Sequence, residues 1–152
     1  MKRPINEMKV VFPSLSENER FARIAVSGFL SFIDPKIDEL ADIKTAVSEA
    51  VTNCIVHGYH DSGEGTVAVT VRLLPEDMIY VRIADKGCGI ADIEQAMQPL
   101  WSSAPAEERA GLGFTVMQSF TDRLAVTSRP GRGTAVTMRK KLLHGSEQET
   151  GG

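Results

Sequence analysis

Two runs of strict alternation, Val67, Val69, Val71 and then Ile79, Val81, Ile83, flank a turn at Pro75, Glu76 and Asp77. A period of two gives each strand one apolar and one outward face. The runs therefore predict an antiparallel hairpin that must bury one side against another layer. The chain supplies that layer just upstream. Between 34 and about 58, Ile37, Leu40, Ile43, Val47, Val51 and Cys54 step by three or four residues, which predicts a long helix with an inward face. Asp34 and Pro35 open it with a capping acid and a proline at the first helical position.

The flanks extend the same two-layer plan. Met8, Val10 and Phe12 alternate as a short strand over 8–12. Ser16-Glu17-Asn18-Glu19 has the form of a capping box, and Phe21, Ile24, Ala25, Phe29 and Phe32 follow at helical spacing. After the hairpin comes an irregular, glycine-bounded stretch over 85–113, then a helix near 114–120 and strands near 124–128 and 134–142. This order, with hairpins in place of repeated βαβ units, predicts an α/β (α+β) two-layer sandwich: one mixed, mostly antiparallel sheet with helices on a single face. Residues 1–143 form one domain, and the polar, glycine-rich 144–152 reads as a disordered tail.

Composition narrows the function classes. With 42% hydrophobic residues among 152, the core needs no disulfide or structural metal. Cys54 and Cys88 form no metal-binding pattern, and Cys54 falls among helical apolar positions, as a buried thiol would. A net charge of −3 argues against a chain built to neutralise nucleic-acid phosphates. No signal-like or membrane-spanning run is present, so a soluble, cytoplasmic protein without membrane attachment is expected.

Three short elements carry chemistry. Glu49, Asn53 and His57 are spaced four apart and share one broad helix face, roughly opposite Val47 and Val51. Asp85-Lys86-Gly87-Cys88-Gly89 stands where a strand ends; its acid can accept a hydrogen bond from an exocyclic amine while the glycines let backbone approach a flat ligand. Gly111-Leu112-Gly113-Phe114 is expected to run into a helix N-terminus, whose free N–H groups suit phosphate. Alone, the first two are better read as a polar face and a turn, and the third is common as a helix start. Residues 90–110 between the last two elements have the length of a lid.

In this order the three elements resemble the Bergerat (GHKL) family of ATP-binding proteins. Glu49-Ala50-Val51-Thr52-Asn53 with His57 is similar to its N box, Asp85-x-Gly87-x-Gly89 to its first glycine box, Gly111-x-Gly113 to its second, and Gly133-Thr134 to its late Gly-Thr element. Within that family the resemblance is to the anti-sigma F factors of endospore-forming bacteria, from about 6 to 142. It is carried also by 16–23, by His57-Gly58-Tyr59 and by Gln98-Pro99-Leu100.

The resemblance implies a homodimer that holds the sporulation sigma F factor inactive in the presence of ATP and Mg2+. It also implies phosphorylation of a serine on an anti-anti-sigma partner with a STAS domain. By the same resemblance Asn53 coordinates Mg2+, Glu49 is the base for the serine hydroxyl, Asp85 binds the adenine amine and Thr134 assists it. His57, Gly87, Gly89, Gly111, Leu112, Gly113 and Phe114 complete the nucleotide site, Arg109 meets the γ-phosphate or a partner, and Glu19 and Arg23 serve partner binding. Lys86 and Ala104 depart from the pattern, an acidic residue and a lysine being usual there. A related anti-sigma kinase of another regulon, such as general stress, and a non-catalytic ATP-dependent sequestering module are the alternatives. A histidine-kinase catalytic domain fits less well, because the first helix holds no acceptor histidine.

Overall fold

A computed structural model of the chain describes residues 3–97 and 105–143, with the side chains at 95 and 105–112 outside that description. Trp101, Ala104, Gln98-Pro99-Leu100 and the 144–152 tail lie outside the described residues. The elements are β1 (Asn6–Pro13), α1 (Asn18–Leu30), α2 (Ile37–Asn53), β2 (Thr66–Leu74), β3 (Met78–Asp85), α3 (Ile93–Ala96), α4 (Pro105–Phe120), β4 (Arg123–Arg129) and β5 (Gly133–Lys141). A 3-10 turn (Ser31–Ile33) follows α1 and a π-helical turn (Cys54–Gly58) follows α2.

The alternation at 67–71 and 79–83 forms the hairpin it predicts, with Val71 opposite Val81 and Val69 opposite Ile83. These residues are buried, and Val136 and Met138 of β5 continue the same face. The sheet order is β1-β2-β3-β5-β4, and every neighbouring pair is antiparallel. Ile43, Val47 and Val51 of α2, with Phe114 and Met117 of α4, join this face in one apolar core. The architecture is thus the two-layer α+β sandwich expected from the alternation and the helical period. Among the described residues no helix is long and apolar enough to cross a membrane.

Two helix starts differ from the sequence reading. In α1 the buried residues are Ala22, Val26, Phe29 and Leu30, while Phe21 and Ile24 are 47% and 61% exposed. Counting the large apolar side chains selected the wrong stripe, because the helix turns a stripe that includes the smaller Ala22 and Val26 inward. The capping box at Ser16 does not form either. Glu19, its expected partner, instead pairs with Arg23 at 2.8 Å and accepts a hydrogen bond from the Ser48 hydroxyl on α2.

At the start of α2, Asp34 closes the 3-10 turn with φ 50°, and Lys36 takes the N-cap position. The helix is anchored by Glu39, a buried carboxylate that accepts N–H bonds from Lys36 at 3.0 Å and from Leu143 at 2.6 Å. That second bond ties the helix start to the chain beyond β5. Truncating Glu39 leaves two N–H groups to find other partners, and each left unsatisfied costs about 1–3 kcal/mol. Glu39→Ala should therefore lower the unfolding free energy by about 2 kcal/mol or more in urea titration; an unchanged midpoint would mean water replaces the carboxylate at no cost.

Candidate functional site

The π-helical turn sets the geometry of the site. Past Asn53 the hydrogen bonding slips, Tyr59 N–H bonding to Cys54 O at 3.0 Å, and His60 and Asp61 adopt positive φ. Such single π turns concentrate at functional sites. Here the turn carries Gly58 against the end of β3. A Cβ at Gly58 would stand 3.1 Å from the Asp85 carboxylate, and one at Gly87 would stand 2.1 Å from Gly58 O, so two glycines let the helix end and the β3 loop touch backbone to backbone. Cys88 N–H seals the contact with a 2.9 Å bond to Gly58 O.

Between these segments and α4 lies a cavity of about 630 Å³, within the size range of small-molecule and cofactor sites. Asn53, His57, Asp85, Gly89, Phe114 and Thr134 all line it. Asp85, 8% exposed, closes β3 opposite Thr134 of β5 and accepts hydrogen bonds from Gly87 N–H at 2.9 Å and Thr134 N–H at 3.3 Å. Cys54 stands behind it. Burial pushes the Cys54 thiol well up, and the charge of Asp85 pushes the same way, so the sulfur remains S–H.

Asn53, the last residue of α2, directs its amide toward Gly113, where an added Cβ would meet the side chain at 3.0 Å. Its buried Nδ2 has no hydrogen-bond partner. A buried amide N–H left unsatisfied is costly, and one beside a cavity is suited to a ligand that brings an acceptor, such as a phosphate oxygen. Glu49 sits one helical turn earlier and does not line the cavity. It is half-buried on the side facing α1, and its carboxyl is raised above the usual value, first by burial and then by the charge of Glu19.

The second glycine box departs from expectation. α4 begins at Pro105, so Gly111, Leu112 and Gly113 lie inside the helix and not ahead of it. In this conformation their N–H groups fall within a helix and form no free N-terminus. Glycine costs about 1 kcal/mol in a helix interior relative to alanine, so the propensity of Gly111 and Gly113 works against this turn of α4. Arg109 lies on the same helix, with its side chain outside the described residues. Gly87 packs on Gly58 and contributes no cavity wall, while Glu19 and Arg23 are on α1, about the Ser48 hydroxyl.

One positioning residue escaped the sequence reading of the site. Tyr59 Oη accepts Lys86 N–H at 2.6 Å and donates to Thr66 O at 2.6 Å, bracing the loop that carries Asp85. Cys54, read from its spacing as a core thiol, is buried as expected and also feels the charge of that acid. The adjacency of Tyr59 to the N-box histidine was the available signal for the bracing role.

Residues 12–140 match the family described as Histidine kinase-like ATPase domain. An anti-sigma F factor of Clostridium beijerinckii is 53% identical over 137 residues, which are 90% of this chain and 95% of that protein. The anti-sigma F factor of Bacillus subtilis is 47% identical, covering 90% and 93%. Among solved structures, the RsbU and RsbW domains of a Mycobacterium tuberculosis protein align with a TM-score of 0.68 at 19% identity, over 91% of this chain and 32% of that one. The histidine kinase domain of a blue-light activated kinase from Erythrobacter litoralis gives 0.55 at 20%, over 91% and 64%. At such identities the two structures speak to the fold alone. Family match, end-to-end identity and the grouping of Asn53, His57, Asp85 and Thr134 about one cavity agree: the chain belongs to the histidine kinase-like ATPases and, within them, to the anti-sigma F factors.

Proposed function

We propose that this chain is an ATP-dependent serine kinase that sequesters the sigma F factor and phosphorylates a serine of an anti-anti-sigma partner with a STAS domain. The observation that carries the kinase reading is the placement of Glu49. It stands on the rigid helix that also presents Asn53 and lies outside the cavity wall, with a basicity enhanced by its surroundings.

Adenine would lie in the cavity with its amine on Asp85 and Thr134 beside it, which directs the phosphates toward Asn53 and Gly113. By the family resemblance Asn53 would hold Mg2+ through its side-chain oxygen, which leaves its unpartnered Nδ2 to donate to a phosphate oxygen, and the ion, when bound, would supply charge neutralisation at the phosphates. Glu49 takes the proton from the serine hydroxyl as that oxygen bonds to the γ-phosphorus and the bond to the ADP oxygen breaks. Phosphoryl transfer asks mostly for alignment and electrostatics, and a base one helical turn from the metal ligand provides the first. Arg109, in α4, is placed by this reading at the γ-phosphate. Incubation with Mg-ATP and a STAS-domain substrate should give one phosphoserine by mass spectrometry. Sequestration of sigma without any phosphoserine would leave the chain a non-catalytic binding module.

Partner binding falls to α1. Glu19 and Arg23 form an i, i+4 pair; the arginine side chain is 39% exposed, with its Nε buried against Glu19, and this reading gives its outer edge to an acidic group of a partner. Arg23→Ala should weaken sigma binding about tenfold while leaving ATP affinity unchanged, as calorimetry with each ligand would read. Loss of ATP affinity would move Arg23 to the nucleotide site. The homodimer is supported by β1, an edge strand, and by the exposed Phe21 and Ile24 of the neighbouring helix.

A further inference from the structure

The side of the sheet away from the helices is strongly basic, although the chain as a whole is acidic. Reading the register across the strands, one row of that face runs Glu7, Arg72, Tyr80, Arg139, Arg123 and the next runs Lys9, Thr70, Arg82, Thr137, Ala125. Lys141 extends the first row's side of β5 beyond Arg139. Seven cations thus share this face, Arg129 at the end of β4 included, with Glu7, which pairs with Arg72. Among the described residues no ion pair engages Lys9, Arg82, Arg123, Arg139 or Lys141. The Asp122 carboxylate at the rim accepts the backbone N–H of Lys141 at 2.6 Å. Arg82 is exposed although its strand is central, so no element of the described fold covers it.

The face carries a row of small side chains and a depression. Its third row is Val11, Ala68, Ala84, Ala135 and Thr127, small enough for another chain to lie close to the backbone. Beside it a depression of about 570 Å³ is lined by Arg82, Arg129, Arg132 and Thr127, with Asp85 and Thr134 at the end nearest the nucleotide cavity. We propose that this open sheet face is a second docking surface, separate from α1, for an extended acidic segment of a partner protein.

Charge complementarity chooses the ligand's sign, and shape chooses its class. Guanidinium groups bind carboxylates in planar, two-bond geometry, and side chains of an extended segment recur at about 7 Å on one face, close to the repeat of the sheet beneath it. Single-stranded nucleic acid needs exposed aromatic platforms. The one aromatic ring here, Tyr80, is 6% exposed and carries the guanidinia of Arg72 and Arg139 at 5.2 and 5.4 Å. A duplex is read by an element that enters a groove, and this face presents none.

The test uses the full chain saturated with Mg-ATP, which removes the nucleotide cavity as a competing anion site. A fluorescein-labelled twelve-residue peptide of alternating Glu and Thr is the probe, with anisotropy as the readout. Saturable binding that weakens with added salt is expected. It should fall by about tenfold in an Arg82→Glu, Arg123→Glu double variant and measurably in Arg123→Glu alone, whereas Lys44→Glu on α2 leaves it unchanged. Retained ATP affinity certifies the variants as folded. Absence of saturable binding, equal affinity in the double variant, or tighter binding of a single-stranded or duplex oligonucleotide lost in that same variant would each overturn the proposal.

Discussion

Glu49→Gln should leave Mg-ATP binding intact and slow serine phosphorylation by roughly 100-fold or more, the scale of a positioned general base. The substitution keeps volume and hydrogen-bonding reach and removes only basicity. Its pH profile sharpens the test. The Glu49 carboxyl is raised above the ordinary glutamate value by burial and then by Glu19. A base works only when ionised, so turnover is present above this raised value and is lost as pH falls through it, earlier than for a solvated glutamate. Glu19→Gln removes the neighbouring charge and should move that acid limb to lower pH, whatever it does to partner affinity. A full rate in Glu49→Gln, or an acid limb unmoved by Glu19→Gln, would assign the proton to another group. Because folding raises this carboxyl, its ionisation opposes stability at neutral pH, and Glu49→Gln should not lower the melting temperature.

What was legible in the sequence depended on the range of the interaction. Alternation at 67–71 and 79–83 is enforced by the sheet itself, so the hairpin and its buried face could be read directly. The face of α1 could not, since Phe21 and Ile24 are as apolar as a core residue and only the packing against α2 shows that Ala22 and Val26 go inward. Glu39 bonds Leu143, 104 positions away, and no local period signals such a contact. The start of α4 at Pro105 was missed because two glycines argue locally against a helix that tertiary contact with α2 supports. At the site, Asn53, His57, Asp85 and Thr134 were visible because their spacing resembles a family pattern. The hydroxyl of Tyr59 was not, since it reaches its partners only after the π turn redirects the chain.

Asp85→Asn should lower ATP affinity by roughly 100-fold and narrow the preference for ATP over GTP. The reasoning starts from the inventory of donors. An ionised carboxylate only accepts, and Asp85 already accepts from Gly87 N–H and Thr134 N–H. Its remaining capacity faces a cavity where, on the proposed reading, an adenine amine would bring another donor. The isosteric amide replaces one acceptor oxygen with an NH2 group, so either a protein N–H or the amine now confronts a donor. Buried sites that lose such a match discriminate strongly, because the unpaired groups cannot return to water. Guanine presents a carbonyl oxygen at the equivalent position, which the carboxylate repels and an amide NH2 accommodates, hence the narrowed preference. Asp85 is 8% exposed, so little solvent is available to rescue either pairing. Calorimetry with ATP and with GTP on a variant of unchanged circular dichroism reads both quantities. Wild-type ATP affinity together with an unchanged ATP-to-GTP ratio would show that the nucleotide base is recognised elsewhere in the cavity.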